Sequence, residues 1–397
     1  MNNHIDGSFT SPICDYLSIQ QMKYDCATVY SLISSLQRDG ITSFGTLPYI
    51  SLVTSAIWEF IGSRVNTMLP KIDILRIQEV RLKLKVFEDG FSKSKRMVLN
   101  IDYLQDQVYR DMLKFDFQRS LNVHYNLGIY TDAQNRVVGN TQYNYYLLQD
   151  NRFLRKSVEE VASAYSISPD NFNMTEQSKK DMYEYAYKCG QVIGSAHAGF
   201  AAYEVPVSVT VKDNAVNYRY IDLNTNTMSS TFPSGDDGKV TWLYLLHILS
   251  TVNFLLYVLN GYVIDDYGWW LKINYIVYYY TIHKLLDLRR YLVHKRLLNQ
   301  NISDYFAAVG LDHIKFMSSS FRSYAMHSQL KDKNGEMLIS VENIDQSKLL
   351  FGLVETCFAG MAYGELKHSV TCELTKISSV LAQWLGIQNL STRPFIE

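Results

Sequence analysis

Residues 241–264 read TWLYLLHILSTVNFLLYVLNGYVI, the most apolar stretch of the chain. Its length approaches that of a membrane span, about 20 residues. Polar side chains interrupt it at His247, Ser250, Thr251, Asn253 and Asn260, and Asp265 and Asp266 follow it. The stretch is therefore read as a helix buried inside a helical bundle, and no membrane partner is expected.

Towards the C-terminus the helical pattern continues. A helix is expected over roughly 269–299, ending in HKLLDLRRYLVHKRLLNQ. There Lys284, Arg289, Arg290, Lys295 and Arg296 stand against one acid, Asp287, making the strongest basic patch in the sequence. Arg289, Arg290, Lys295 and Arg296 are the candidate RNA phosphate contacts, and a solvated helix face is the other reading. After SDYFAAVGLDHIKFMSSS comes FRSYAMHS, residues 321–328, and SQLKDKNG, which begins at Ser328, reads as a loop. Asp312 and His313 lie nearby without a spacing argument. The closing stretch reads as two helices broken near Gly364.

Towards the N-terminus PSGDDGK, residues 233–239, is the best domain boundary, with Gly, Pro and Asp clustered in it. Before it the pattern is mixed. Helices are expected over 12–38, closed by Gly40, and over 51–68. KIDILRIQEVRLKLKVFEDG (71–90) alternates at Val80, Leu82, Leu84 and Val86, a strand signal that RMVLNIDYL continues. The basic run Lys93–Arg96 falls in the connecting turn, and residues 103–118 form a short helix. Residues 123–150 read as two strands around Asp132–Asn135. SVEEVASAYSISPDNF (157–172) has the outline of a helix–turn element. A long helix runs from Thr175 to about 202 and carries His197 among small residues, as a packed histidine. VPVSVTVKDNAVNYRYIDLN (205–224) reads as a hairpin around Asp213–Asn214. The fold class is thus α+β: a mixed α+β region, 1–235, and an all-α region, 236–397.

A chain of 397 residues with 47% hydrophobic and 19% charged content can fill more than one core. Its formal net charge of −1 excludes a binder held to nucleic acid by bulk charge, so any such contact is local. The five cysteines form no C-x-x-C pair, which fits reduced thiols in a cytoplasmic protein better than a disulfide or zinc scaffold. MNNHIDGSFTSP has no basic segment followed by an apolar run, so no signal peptide is expected. The 30 tyrosines are read as packing groups first and base-stacking groups second.

The chemistry is sought in FRSYAMHS. His327 can take and give a proton near neutrality. Arg322 offers a cationic fork that fits a phosphate. Together they suffice for RNA cleavage without a metal or cofactor, because the substrate supplies its own nucleophile, the 2′-OH. On a straight helix two positions five apart point about 140° away from each other. The pair must therefore sit at a helix end, or two copies of the chain must combine. His294, five after Arg289, is the second-choice catalytic histidine.

An Arg, a polar residue and a His late in an all-helical segment, FRSYAMHS followed by closing helices, resemble the HEPN superfamily (higher eukaryotes and prokaryotes nucleotide-binding domain). The resemblance covers roughly 242–386. It implies a helical bundle that acts as a homodimer, with Arg322, His327 and Ser323 at the site. It further implies a metal-independent endoribonuclease leaving 2′,3′-cyclic phosphate ends, in a toxin-like, abortive-infection or antiphage-defence setting. A regulatory protein or a phage-derived trigger would then act through residues 1–235. The family often has Asn, Asp or His where this chain has Ser323. A HEPN-like module that binds RNA or nucleotide, or only mediates assembly, is the alternative. A structural protein using its tyrosines for contacts is a third.

Overall fold

A computed structural model describes residues 7–36, 40–62, 69–87, 89–114, 125–148, 174–203, 209–212, 216–227, 232, 235–264, 267–332, 334–387 and 393–394. The expected helix–turn over 157–172 and the turn residues Asp213 and Asn214 lie outside them.

Helices dominate and a small antiparallel sheet accompanies them, a mixed α+β fold. The N-terminal helices are α1 (Gly7–Ser35), α2 (Gly40–Ile61), α3 (Leu75–Leu82) and α4 (Phe91–Lys114). The sheet follows as β1 (Leu127–Thr131) and β2 (Val137–Asn140), then α5 (Thr141–Leu148), α6 (Met174–Tyr203) and β3 (Arg219–Leu223). Strand order is β2-β1-β3-β4, with β4 only Arg393–Pro394. Leu127 faces Leu223 and Ile129 faces Ile221 across the β1–β3 pair. The turn between β1 and β2 is closed by Asp132, whose carboxylate accepts from the Gln134 and Arg136 amides.

The strand reading of 71–104 is corrected. Lys83, Val86 and Phe87 are buried here, and so is the set Ile77, Val80, Arg81 and Leu84. The spacing of that set, three, four and seven, is one face of a helix, which α3 and the 3-10 turn after it form. RMVLNIDYL lies inside α4, where Phe91, Val98, Ile101 and Leu104 are buried. Lys93–Arg96 sits in the first turns of α4, and Lys95 pairs with Asp237. Of the helix expected over 103–118, residues 103–114 fall in the second half of α4, and 115–118 lie outside the described residues. The second strand of the 123–150 pair ends at Asn140, and TQYNYYLL is helical. Gly40 opens α2 rather than closing α1. Val211 bridges to Val263, while β3 pairs with β1.

The apolar stretch forms α7 (Asp236–Asn253), which continues as a π-helical segment, Phe254–Leu259. By length and composition α2 and α7 could each cross a membrane, yet most of the apolar window of each is buried by neighbouring elements. The remaining helices are α8 (Trp269–His294), α9 (Gln300–Val309), α10 (Ser319–His327), α11 (Leu353–Cys357) and α12 (Tyr363–Leu385). The break before α12 falls at 358–362, and Gly364 is inside its first turn. The residues Asp236–Lys239 form the first turn of α7. Apolar packing runs on across this point: α4 and β2 rest on α7, and α2 rests on α10. The last of these contacts builds the site.

Candidate active site

Helix α10 carries FRSYAMH. Phe321, Tyr324, Ala325 and Met326 are buried, and Phe321 meets the Tyr275 ring of α8 edge-on at 4.7 Å. Ser318 caps its start by accepting from the Phe321 amide, 3.1 Å. The Tyr275 hydroxyl donates to the Ser318 carbonyl and accepts from the Ser318 amide at 3.1 and 2.7 Å. His327 is the last helical residue, so the helix-end placement expected for the pair holds for the histidine. Ser328 then turns left-handed at φ 51°. Its hydroxyl donates to Asp25 of α1 (2.8 Å) and accepts from Lys272 of α8 (2.6 Å). Lys272 and Asp25 form an ion pair, each side chain 1% exposed.

His327 meets Glu59 of α2: its Nδ1 lies 3.2 Å from Oε2. The other oxygen, Oε1, takes three donors, Arg81 at 2.8 Å, Gln78 at 3.2 Å and the Ser55 hydroxyl at 3.2 Å. Burial raises the Glu59 carboxyl, but the His327 hydrogen bond and the Arg81 guanidinium outweigh it and hold it at about 2. His327 is 39% exposed in its side chain, Glu59 24% and Arg81 11%, so the histidine is the face of the group open to solvent.

Arg322 is half-buried on the same helix, with its guanidinium 5.7 Å from the centre of the Tyr279 ring of α8. Burial raises the Tyr280 phenol, while the charges of Arg322 and Arg81 pull it down, so both guanidinium groups act on one hydroxyl. Lys85 lies 5.7 Å over the Tyr280 ring. His283, one turn on, is pushed below its ordinary value by burial and further by Arg322, against Asp287. The Nε atoms of Arg81 and Arg322 are both buried without a hydrogen-bond partner. Such groups cost about 1–3 kcal/mol each, and a core built only for stability avoids them. Ser323, half-buried, is one position past Arg322 and turned about 100° from it.

The structure thus joins Arg81 to His327 through Glu59, with Arg322 on the same helix as His327 and its charge, like that of Arg81, acting on Tyr280. Chemically the cluster offers a histidine tied by one ring nitrogen, an ionised carboxylate, and two guanidiniums whose charges lower one phenol. Glu59, Arg81, Gln78 and Tyr280 were missed from sequence. The one available signal was the helical spacing of Ile77, Val80, Arg81 and Leu84, which places Arg81 on a buried face.

The basic end of α8 lies elsewhere. His294 is exposed, fifteen residues beyond Tyr279 and so about 22 Å further along the helix. Arg289 pairs with Asp312 at 2.7 Å and Arg290 with Asp287. Lys284 is buried and donates to the Asp89 carbonyl. Lys295 acts on Asp237 from the helix end, and Arg296 beyond it has φ 58°. Several acids therefore face this patch, not Asp287 alone. His197 stacks on Tyr30, ring centres 4.3 Å apart. Among the described residues no three His, Cys, Asp or Glu side chains gather as metal ligands. No family model matches the chain, and no curated protein or solved structure matches it either.

Proposed function

We propose that the protein is a metal-independent endoribonuclease of HEPN type, with its C-terminal helices as the bundle that carries the reaction. The observation supporting this most is the seating of His327 on an ionised carboxylate that Arg81 also holds, with Arg322 on the same helix. In the reaction the RNA 2′-oxygen bonds to phosphorus as the 5′-oxygen leaves, giving a 2′,3′-cyclic phosphate. His327 moves the proton, and Arg322 holds the charge that grows on the phosphoryl oxygens. The resemblance of FRSYAMHS to the family adds a cytoplasmic, homodimeric, toxin-like or antiphage setting.

The test is RNA cleavage in EDTA by the full chain. Wild type should cut. Folded His327→Ala and Arg322→Ala should each lose about 10²-fold or more, and the double mutant should be little worse than the worse single one. Arg322→Lys should also fail, since lysine keeps the charge but loses the fork. A folded His327→Ala protein cutting at the wild-type rate removes the mechanism. Ser323, standing where the family often has a helper side chain, favours the second reading, a module that binds RNA or nucleotide without cutting it. RNA binding by a wild type that leaves the RNA intact would establish that reading.

A further inference from the structure

We propose that Glu59 is the positioning residue of this site, holding His327 by an Nδ1–H bond so that Nε2 is the nitrogen that exchanges a proton with the substrate. The inference rests on the reading of His327 as the proton-transfer group. Its basis is the seating of the His327 Nδ1 against an oxygen of an ionised carboxylate. Oε1 already accepts from Arg81, Gln78 and Ser55. Oε2 lies 3.2 Å from the His327 Nδ1. A carboxylate that is ionised has no proton to give, so the hydrogen between Glu59 and His327 belongs to Nδ1. A neutral imidazole with its proton on Nδ1 has its lone pair on Nε2. The side chain is open enough for that nitrogen to meet RNA. In the cleavage step the 2′-OH proton passes to Nε2 while the oxygen–phosphorus bond forms. The Nδ1–H stays on Glu59, and the departing 5′-oxygen takes a proton from water.

The geometry makes a substitution of one atom decisive. In Glu59→Gln the three donors on the Oε1 side keep the amide oxygen there. The amide NH₂ is then turned to His327, where it needs an acceptor. Nδ1 must give up its proton, and the imidazole becomes the Nε2–H form, which cannot accept from the 2′-OH. Shape and packing are unchanged, so a purely structural role for Glu59 predicts no such inversion.

The experiment is two-bond nitrogen–proton NMR of the full chain with ¹⁵N-labelled histidine at pH 8, with the His327 signals assigned by their loss in His327→Gln. It is paired with kcat and KM for RNA cleavage. Wild type should show the proton on Nδ1, and Glu59→Gln should show it on Nε2 with kcat about 10²-fold lower and KM within about twofold. Wild-type His327 carrying its proton on Nε2 overturns the inference, and this needs no variant to fold. An unchanged kcat in a Glu59→Gln protein whose tautomer has inverted overturns it as well. A wild type that shows the Nδ1–H form but cuts no RNA supports the Glu59–His327 pair and overturns the ribonuclease reading instead.

Discussion

Glu59 joins two parts of the chain that the sequence sets 268 residues apart, and it does so as a charged group. Its pKa in an unfolded chain is about 4.3, and in the fold it is held at about 2 by His327 and Arg81 against the opposing effect of burial. A carboxyl depressed by folding adds stability that is complete above its unfolded pKa and is lost as pH falls through its folded one. The window is therefore about pH 4.5 down to 2, and the size, at roughly 1.4 kcal/mol per pKa unit with discount for partial exposure, is about 2 kcal/mol. Denaturant unfolding from pH 7 to 2 should show wild type losing that much more than Glu59→Gln across this window. Parallel curves would mean that the carboxylate is not held as its partners imply. None of this was legible from sequence. Glu59 sits in SAIWEF, where it reads as the polar face of an apolar helix, and nothing local points to a histidine far along the chain.

At the scale of elements, the helix bearing the motif is fixed at both ends, by Tyr275 on Ser318 and by the Asp25–Lys272 pair on Ser328. Helix, loop and histidine at the helix end were readable from FRSYAMHS and SQLKDKNG, because a run of apolar residues three and four apart followed by a polar Gly-containing stretch has few other readings. The element that supplies Arg81 was not. Val80, Leu82, Leu84 and Val86 alternate as a strand does, while Ile77, Val80 and Leu84 repeat as a helix does. Arg81, the residue that completes the helical stripe, is charged and so counts against it. Only the pairing with Glu59 makes an arginine tolerable on a buried face. The same principle gives a prediction for the end of α10. Asp25→Asn leaves the buried Lys272 ammonium without its counter-charge and should cost about 3–5 kcal/mol in denaturant unfolding. Asp25→Leu combined with Lys272→Met should recover most of it. A single variant unfolding at the wild-type denaturant concentration would show that the pair does not hold the helix end. For the basic end of α8, four free phosphate contacts with single-stranded RNA would give a salt slope near 3. Because Arg289 and Arg290 already face Asp312 and Asp287, joint alanine replacement with Lys295 and Arg296 should lower the slope by only about 1–2. An unchanged slope would take the patch out of the interface.

At the scale of the molecule, the question is where the second half of the site comes from. Two positions five apart on one helix diverge, so the sequence argument required either a helix end or a second copy of the chain. The structure supplies a third route. Glu59 of α2, held by Arg81 of α3, reaches His327 within one chain, and Arg322 lies on the same helix as His327. A homodimer is still what the family resemblance implies, and sedimentation at micromolar concentration should give one. Complementation then separates assembly from site construction. In a mixture of Arg322→Ala and His327→Ala protomers that exchange freely, half of the dimers are mixed. If each site took its arginine and histidine from opposite protomers, every mixed dimer would hold one intact site, and activity would return to about a quarter of wild type. If each site is built within one chain, no protomer in the mixture has both groups, and cleavage should stay at the level of the single mutants. The Glu59–His327 contact, made within one chain, favours the second outcome. Recovery towards a quarter, measured as RNA cleavage after subunit exchange confirmed by a tagged partner, would instead make the dimer interface part of the site.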